Sequence, residues 1–303
     1  MSKKYFVIIA GLVLFLGAGC MFKKDRITPV IQETDTAPKK VDIAVSIYPL
    51  AYFTEKVGGD LVQVHLITPG GIEPHDYEPT PLDIIVVESS KALVYNGGGI
   101  DAWADRVAPE LNKKGIQVLK MENHLGTSGD DPHFWLDPVL AQKQVENIVQ
   151  LLNGLDPDHR DIYENNAALY LGELSTLGQE YKTGFLQCDL KEIISSHDAF
   201  NYLGRRYGIT VHAIAGISPE DEPSASRLAE LTRLVQQKKI KTIFFESLIT
   251  PKLSETLAQE TGATSAVLNP IEGLTEEEAA QGKNYDILMR DNLQALKKAM
   301  VCH

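Results

Sequence analysis

The stretch VDIAVSIYPLAYFTEKVGGDLVQVHLI, residues 41–67, contains one complete strand–helix–strand unit. Residues 42–47 are rich in β-branched side chains, which is typical of a buried strand. Residues 49–58 begin with proline and end with glycine, the residues that commonly begin and end a helix. Residues 61–67 then return to the β-branched pattern. We therefore predict a βαβ unit here, because a helix that joins two neighbouring strands makes them parallel.

The same alternation continues along most of the chain. Residues 82–90 are interpreted as a helix despite their β-branched side chains. Further strands are predicted at residues 92–96, 116–121, 192–197, 209–214, 241–247 and 263–268. This pattern predicts an α/β fold with two lobes, each with a parallel sheet of about four strands flanked by helices.

A long segment without strand patterns separates the two groups of strands. Residues 156–187 have no proline beyond their first turn, and a helix of about 30 residues would be roughly 45 Å long. Such a helix is longer than one lobe requires. We therefore predict one long linking helix at 156–187 between an N-terminal lobe, 41–155, and a C-terminal lobe, 188–303.

The first nineteen residues have a different character from the rest of the chain. Residues 1–19 combine a basic start, an apolar run and small residues, and Cys20 follows directly. This is the pattern of a lipoprotein signal peptide, and the run is short for a membrane span. We expect lipidation at Cys20, a flexible tether at 20–40, and an extracytoplasmic protein that is lipid-anchored to a bacterial membrane. A simple N-terminal membrane anchor with a chance cysteine is the alternative.

Charge and cysteine content narrow the function classes. The chain has 29 Lys and Arg against 41 Asp and Glu, a formal net charge of −12. This balance predicts no nucleic-acid partner and is compatible with cation binding. Apart from Cys20 there are two cysteines, Cys188 and Cys302, which could form a disulfide in an oxidising compartment or remain as thiols.

Three of the eight histidines follow predicted strands in the manner of ligand-binding residues. His75 lies in the loop after the second strand, His133 in the loop after the fourth, and His197 at the end of the first strand of the second lobe. Ligands of parallel α/β sheets bind beyond the carboxyl ends of the strands, so all three point to edges where the lobes could face each other. A single such histidine is usually structural, but three at matching positions favour a metal site in the interlobe cleft.

The fourth ligand is predicted in the loop after the last strand of the second lobe. Glu272 is our candidate, and Asn269 and Glu246 are the alternatives. Three imidazoles and one carboxylate suit Zn²⁺, and four protein ligands favour holding the ion over hydrolysis with it. A metal-bound imidazole also needs an acceptor on its other nitrogen. The acceptors considered from spacing are Asp76, Asp137 and Asp198.

At these residues the chain resembles a known family, the substrate-binding lipoproteins of zinc and manganese ABC importers. The resemblance covers nearly all of residues 42–301. It rests on PGGIEPHDYEPTPLDI, ALVYNGGGIDAW, DPHFWLDP, SSHDAFNYLGRRYGI, GISPEDEPSASRLAEL, FFES and LNPIEGLTEEE, which occur in the family's order.

The resemblance implies two α/β lobes, one long linking helix and a single cation in the cleft. It implies that His75, His133, His197 and Glu272 bind this cation. It further implies a monomeric, non-enzymatic protein that captures Zn²⁺ and delivers it to an ABC importer permease in the membrane.

Manganese-binding members resemble this chain less, because they use two carboxylates with two histidines. The histidine at position 197 therefore resembles the zinc branch, which includes laminin-binding lipoproteins. Many zinc members carry a long His-rich loop before the second ligand, whereas the corresponding segment here is short and contains only His124. The alternatives kept open are another divalent cation, a secondary role as a surface adhesin and, more remotely, a zinc hydrolase that uses Glu246 as a base.

Overall fold

The computed structural model describes residues 39–127 and 130–303. Two sheets of four parallel strands form the framework, in the orders β2-β1-β3-β4 and β6-β5-β7-β8. The strands are β1 Val41–Val45, β2 Val62–Leu66, β3 Ala92–Tyr95, β4 Gln117–Lys120, β5 Glu192–Ser195, β6 Thr210–Ala213, β7 Thr242–Phe245 and β8 Thr264–Val267. The predicted α/β fold is confirmed. Both sheets have the same strand order, although the sequence shows no clear internal repeat.

Helices connect the strands and cover the sheets. They are α1 Tyr48–Gly58, α2 Pro81–Ser89, α3 Ala102–Lys113, α4 Glu122–Leu125, α5 Pro138–Leu155, α6 Arg160–Gly184, α7 Asn201–Tyr207, α8 Ala225–Lys238, α9 Lys252–Thr261, α10 Glu276–Ala280 and α11 Tyr285–Ala299. Short 3₁₀ turns at Pro74–Asp76, Phe134–Leu136 and Pro157–His159 lie in the loops and before α6.

Helix α2 forms where β-branched residues alone would favour a strand. Thr80 and Asp83 make a reciprocal capping box, in which each side chain accepts a hydrogen bond from the backbone N–H of the other. Pro81 occupies the first turn, where its missing N–H leaves no hydrogen bond unmade. The helix start signal therefore outweighs the strand propensity of the β-branched residues, and the helix predicted at 82–90 is confirmed within one residue at each end.

The linking helix α6 is shorter than the segment 156–187 predicted from the sequence. Its 25 residues correspond to a length of about 37 Å. The helix starts later than predicted because a 3₁₀ turn, Pro157–His159, precedes it. It packs against α1 and α5 of the first lobe and α11 of the second. The Tyr170 hydroxyl donates to Asp286 at 3.2 Å, and the Tyr181 hydroxyl donates to the Met289 carbonyl at 2.6 Å. The helix therefore binds both lobes along its length.

One hydrophobic core extends through both lobes, and each sheet has a smaller cluster on its outer face. At its centre Phe53 of α1 meets Tyr285 of α11 edge to face, with ring centroids 4.8 Å apart. The neighbouring Tyr52 hydroxyl donates to Asp286 at 2.7 Å. A shared, close-packed core resists rigid-body separation of the lobes.

Cys188 and Cys302 form a disulfide across 114 residues of sequence. The bond joins the segment before β5 to the residues after α11, and so closes the second lobe on itself. The structure thus decides between the two alternatives that the sequence left open. Within the described residues, no helix combines the length and apolar character that a membrane crossing requires.

Candidate metal centre

The four predicted ligands lie beyond the carboxyl ends of strands from both sheets. His75 lies in the 3₁₀ turn after β2, and His133 directly precedes the 3₁₀ turn after β4. His197 follows β5, and Glu272 follows β8. The chain therefore brings together two ligands from each lobe, at the edge where parallel sheets bind their ligands.

The four side chains converge through one atom each. His133 Nε2 lies 3.4 Å from His75 Nε2, 3.2 Å from His197 Nε2 and 3.0 Å from Glu272 Oε1. Glu272 Oε1 lies 3.5 Å from His75 Nε2 and 3.2 Å from His197 Nε2. Metal–ligand bonds of about 2.0–2.1 Å give a tetrahedron with edges of roughly 3.3–3.4 Å. The five distances above, 3.0–3.5 Å, lie around this value, so the four donor atoms are close enough together to hold one metal ion.

Burial differs among the four side chains. His133 and His197 are fully buried, and Glu272 is 1% exposed. His75 is the most exposed of the four ligands, with 7% of its side-chain surface accessible to solvent.

Two histidines have a carboxylate on the ring nitrogen that faces away from the cluster. His133 Nδ1 lies 2.9 Å from Asp131 Oδ1, and His197 Nδ1 lies 3.1 Å from Glu246 Oε1. Such partners fix the tautomer and leave Nε2 free for a metal.

The acceptors considered from sequence spacing were wrong. Neither Asp76 nor Asp198 makes a hydrogen bond to these rings within the described residues. Asp137 caps α5 through the Val139 N–H at 2.9 Å and pairs with Arg206 instead. Adjacency in sequence did not identify the acceptors, because the far ring nitrogens of His133 and His197 face Asp131 and Glu246 instead.

A repeated acid–Pro–His pattern, missed in the sequence analysis, precedes two of the predicted ligands. In EPH, residues 73–75, the His75 N–H donates to Glu73 Oε1 at 3.2 Å. In DPH, residues 131–133, the His133 N–H donates to Asp131 Oδ1 at 3.1 Å. The proline between them has a fixed φ, so each carboxylate can accept a hydrogen bond from the backbone N–H of the histidine two residues later.

The His133 segment is fixed from three further sides. The Asn96 side chain donates to the Pro132 carbonyl at 2.8 Å, and the Tyr202 hydroxyl of the second lobe donates to the Asp131 carbonyl at 3.1 Å. Gly98 lies so close that a Cβ there would be 2.9 Å from Pro132 Cα. These contacts hold the DPHFW segment, residues 131–135, in place.

The two alternative candidates for the fourth ligand have other contacts. Glu246 accepts from His197, and Asn269 donates to Ser247 Oγ at 3.0 Å and to Glu278 Oε1 at 2.7 Å. Glu272 follows Ile271, which has φ 58° and is fully buried. A β-branched residue in this left-handed region is strained by about 1–3 kcal/mol, and such strain is commonly found at functional sites.

Burial and neighbouring charges shift the pKa values of the cluster in opposite directions, and the neighbouring charges have the larger combined effect. Burial raises the pKa of Glu272, but the imidazoles, His197 foremost, hold that pKa well below its usual range. Burial lowers the pKa of His197, but Glu272 and Glu246 raise it well above its usual value. For His133, burial lowers the pKa and the carboxylates of Asp131 and Glu272 raise it overall.

Glu73 is an additional acidic group beside the cluster. It lies close to Glu246 and Glu272, and burial together with the Glu272 charge raises the pKa of Glu73 to about 9. Glu73 was not among the residues predicted from the sequence, although it begins the EPH pattern.

The fold and the site define the class of this protein. It is a two-lobed substrate-binding protein of the metal-binding class, with one shared core and a buried cluster of three histidines and one glutamate. The family model described as zinc-uptake complex component A, periplasmic (ZnuA), matches residues 43–299. The chain belongs to this family. The resemblance noted from the sequence is confirmed.

Similar proteins agree with this assignment. The high-affinity zinc uptake system protein ZnuA of Bacillus subtilis is 35% identical over 99% of both chains. The zinc-binding lipoprotein AdcA of Streptococcus pneumoniae is 36% identical over 98% of this chain, which spans only 61% of AdcA.

Solved structures show the same architecture. The Zn(II)-bound ZnuA-like domain of Streptococcus pneumoniae AdcA has a TM-score of 0.77 and 39% identity, covering 86% of this chain and 99% of that one. The laminin-binding protein Lmb of Streptococcus agalactiae, described as bifunctional with adhesin and metal-transporting activity, has a TM-score of 0.79 and 33% identity, with 86% and 99% coverage. Members of this family are substrate-binding components of zinc uptake systems and not enzymes. The alternative of a zinc hydrolase, kept open from the sequence, was therefore wrong.

Proposed function

We propose that this protein captures Zn²⁺ outside the cytoplasm and delivers it, as the cargo of a monomeric binding protein, to an ABC importer. The observation that carries the proposal is the convergence of His75, His133, His197 and Glu272, with the measured ligand–ligand distances lying between 3.0 and 3.5 Å. Family membership supports the transport role.

The donor set favours zinc over harder cations. Three imidazole nitrogens and one carboxylate oxygen suit a borderline metal, whereas manganese sites contain more oxygen donors. Four protein ligands leave no open position for an activated water, which favours capture over hydrolysis. Burial of three of the four ligands further limits access of water to the ion.

The first test is a zinc titration of the fragment 39–303, which contains the compact unit that carries both lobes. We expect one tightly bound zinc per chain, measured by competition with a chromophoric chelator, and much weaker manganese binding. Binding of more than one tight zinc, or stronger binding of manganese, would contradict the proposed site.

Zinc affinity should fall as the pH decreases from about 8 to 5. Asp131, Glu246 and Glu272 face the imidazoles of His133 and His197 and raise both pKa values, so protons compete with zinc from above the ordinary histidine range. The pKa of Glu272 is well below its usual range, so this carboxylate stays ionised throughout. We expect release of about one to two protons per zinc bound, measured with a pH indicator in weak buffer. Constant affinity between about pH 8 and pH 6 would contradict this expectation.

We further propose that Cys20 carries the lipid anchor, although it lies outside the described residues. The basic and apolar start of the chain and the small residues before Cys20 support this proposal. Replacing Cys20→Ser should move the protein from the membrane fraction to the soluble fraction and abolish incorporation of labelled fatty acid. Unchanged membrane association without label would favour an uncleaved N-terminal anchor.

A further inference from the structure

The turn that presents Glu272 contains an unusual backbone conformation. After β8 the chain becomes fully buried, and Ile271, directly before Glu272, adopts φ 58°. Three described residues other than glycine have positive φ, and the other two, Lys239 and Val301, are exposed. A β-branched side chain disfavours this conformation, so other contacts must impose it.

Asn269 supplies those contacts. Its Oδ1 accepts from the Ile271 N–H at 2.7 Å, which closes a tight turn two residues ahead. Its Nδ2 donates to Ser247 Oγ and Glu278 Oε1. Its backbone is held by Asn292, which accepts from the Asn269 N–H at 2.8 Å and donates to the Asn269 carbonyl at 2.6 Å.

The opposite side of the turn is held by the first lobe. The Trp135 indole donates to the Pro270 carbonyl at 2.7 Å, and the Tyr285 hydroxyl donates to the Trp135 carbonyl. The Ile271 side chain itself belongs to the shared core. With residues on both sides fixed, the left-handed backbone of Ile271 determines the direction of the Glu272 side chain.

We propose that Asn269 is a positioning residue for the metal site, which imposes the left-handed turn at Ile271 and thereby holds Glu272 Oε1 against the three imidazoles. This inference rests on the proposed function. It assigns to Asn269 a role in zinc affinity although, among the described residues, its hydrogen bonds go to Ser247, Ile271, Glu278 and Asn292 and not to the four ligands.

The test begins with zinc affinity of Asn269→Ala, Glu272→Ala and the double variant. Loss of a residue that orients a ligand typically weakens metal affinity 10–100-fold, and we expect a loss of about this size for Asn269→Ala. In the Glu272→Ala background the same substitution should weaken binding by less than about threefold, because no carboxylate remains to be positioned. If Asn269→Ala does not fold, Asn269→Ser replaces it in the cycle.

A conservative exchange separates positioning from a general loss of stability. In Asn269→Asp combined with Glu278→Gln, the acid and the amide change places, and an oxygen remains to accept from the Ile271 N–H. Net charge is unchanged, and the Thr275 N–H, which donates to Glu278 at 2.9 Å, keeps an oxygen acceptor. We expect this exchange variant to bind zinc within about threefold of the wild type, and Co²⁺ bound to it to retain the wild-type visible absorption spectrum.

The outcomes are distinct. Wild-type affinity in Asn269→Ala, equal losses in both backgrounds, or an exchange variant as weak as Asn269→Ala would each overturn the positioning role. Wild-type affinity in Glu272→Ala would instead overturn the proposed metal site itself. Urea unfolding of each zinc-free variant shows whether an affinity change is accompanied by a loss of stability.

Discussion

Replacing His133→Ala is expected to weaken zinc binding by at least about a hundredfold, more than the loss of an orienting residue, because it removes a ligand. His133 Nε2 lies 3.0–3.4 Å from the three other ligand atoms. The measurement is chelator competition at fixed pH.

The matched control for this experiment is His65→Ala. His65 is also paired with a carboxylate, Asp42 at 2.9 Å, but it lies within β2 and outside the cluster. We expect this variant to retain wild-type zinc affinity. Equal affinities of His133→Ala and wild type would show that His133 is structural, and the four-ligand site would then be incorrect.

Removing the disulfide with Cys188→Ser and Cys302→Ser is expected to lower the free energy of unfolding of the zinc-free protein by about 2–4 kcal/mol. The bond closes a segment of 114 residues, and crosslinks that close long segments restrict the unfolded chain most. Urea denaturation of both proteins gives the difference directly. The double replacement leaves no free thiol from this pair.

Zinc affinity should change little in the same variant. Cys188 precedes β5, whereas His197 follows this strand, so the disulfide and the cluster lie at opposite ends of it. A large loss of zinc affinity without loss of stability would contradict a purely structural role for the disulfide. An unchanged free energy of unfolding would contradict the expected stabilisation.

Much of the fold follows from local sequence patterns. The alternation of β-branched runs with proline-started helices predicted the strands of both sheets, because these signals act within ten or so residues. The linking helix was predicted too long, since a 3₁₀ turn precedes it and the helix ends at Gly184. Its packing against both lobes depends on partners more than a hundred residues away, such as Asp286 and Met289.

The ligand positions were predicted from topology and from resemblance, and the structure brings the four side chains together. Their role as zinc ligands stays a prediction until metal binding is measured. The orienting carboxylates were predicted wrongly because proximity in sequence was used as a guide. Asp131 could have been identified from the acid–Pro–His pattern, but Glu246 is 49 residues from His197.

The sequence by itself determined the α/β class, the strand ends that carry His75, His133 and His197, and the chemical type of the site, because these depend on local propensity and residue chemistry. Only the tertiary structure decided the pairing of Cys188 with Cys302 and the choice among competing carboxylates. These choices depend on which strand ends become neighbours. That is fixed by packing of the shared core and has no local signal in the chain.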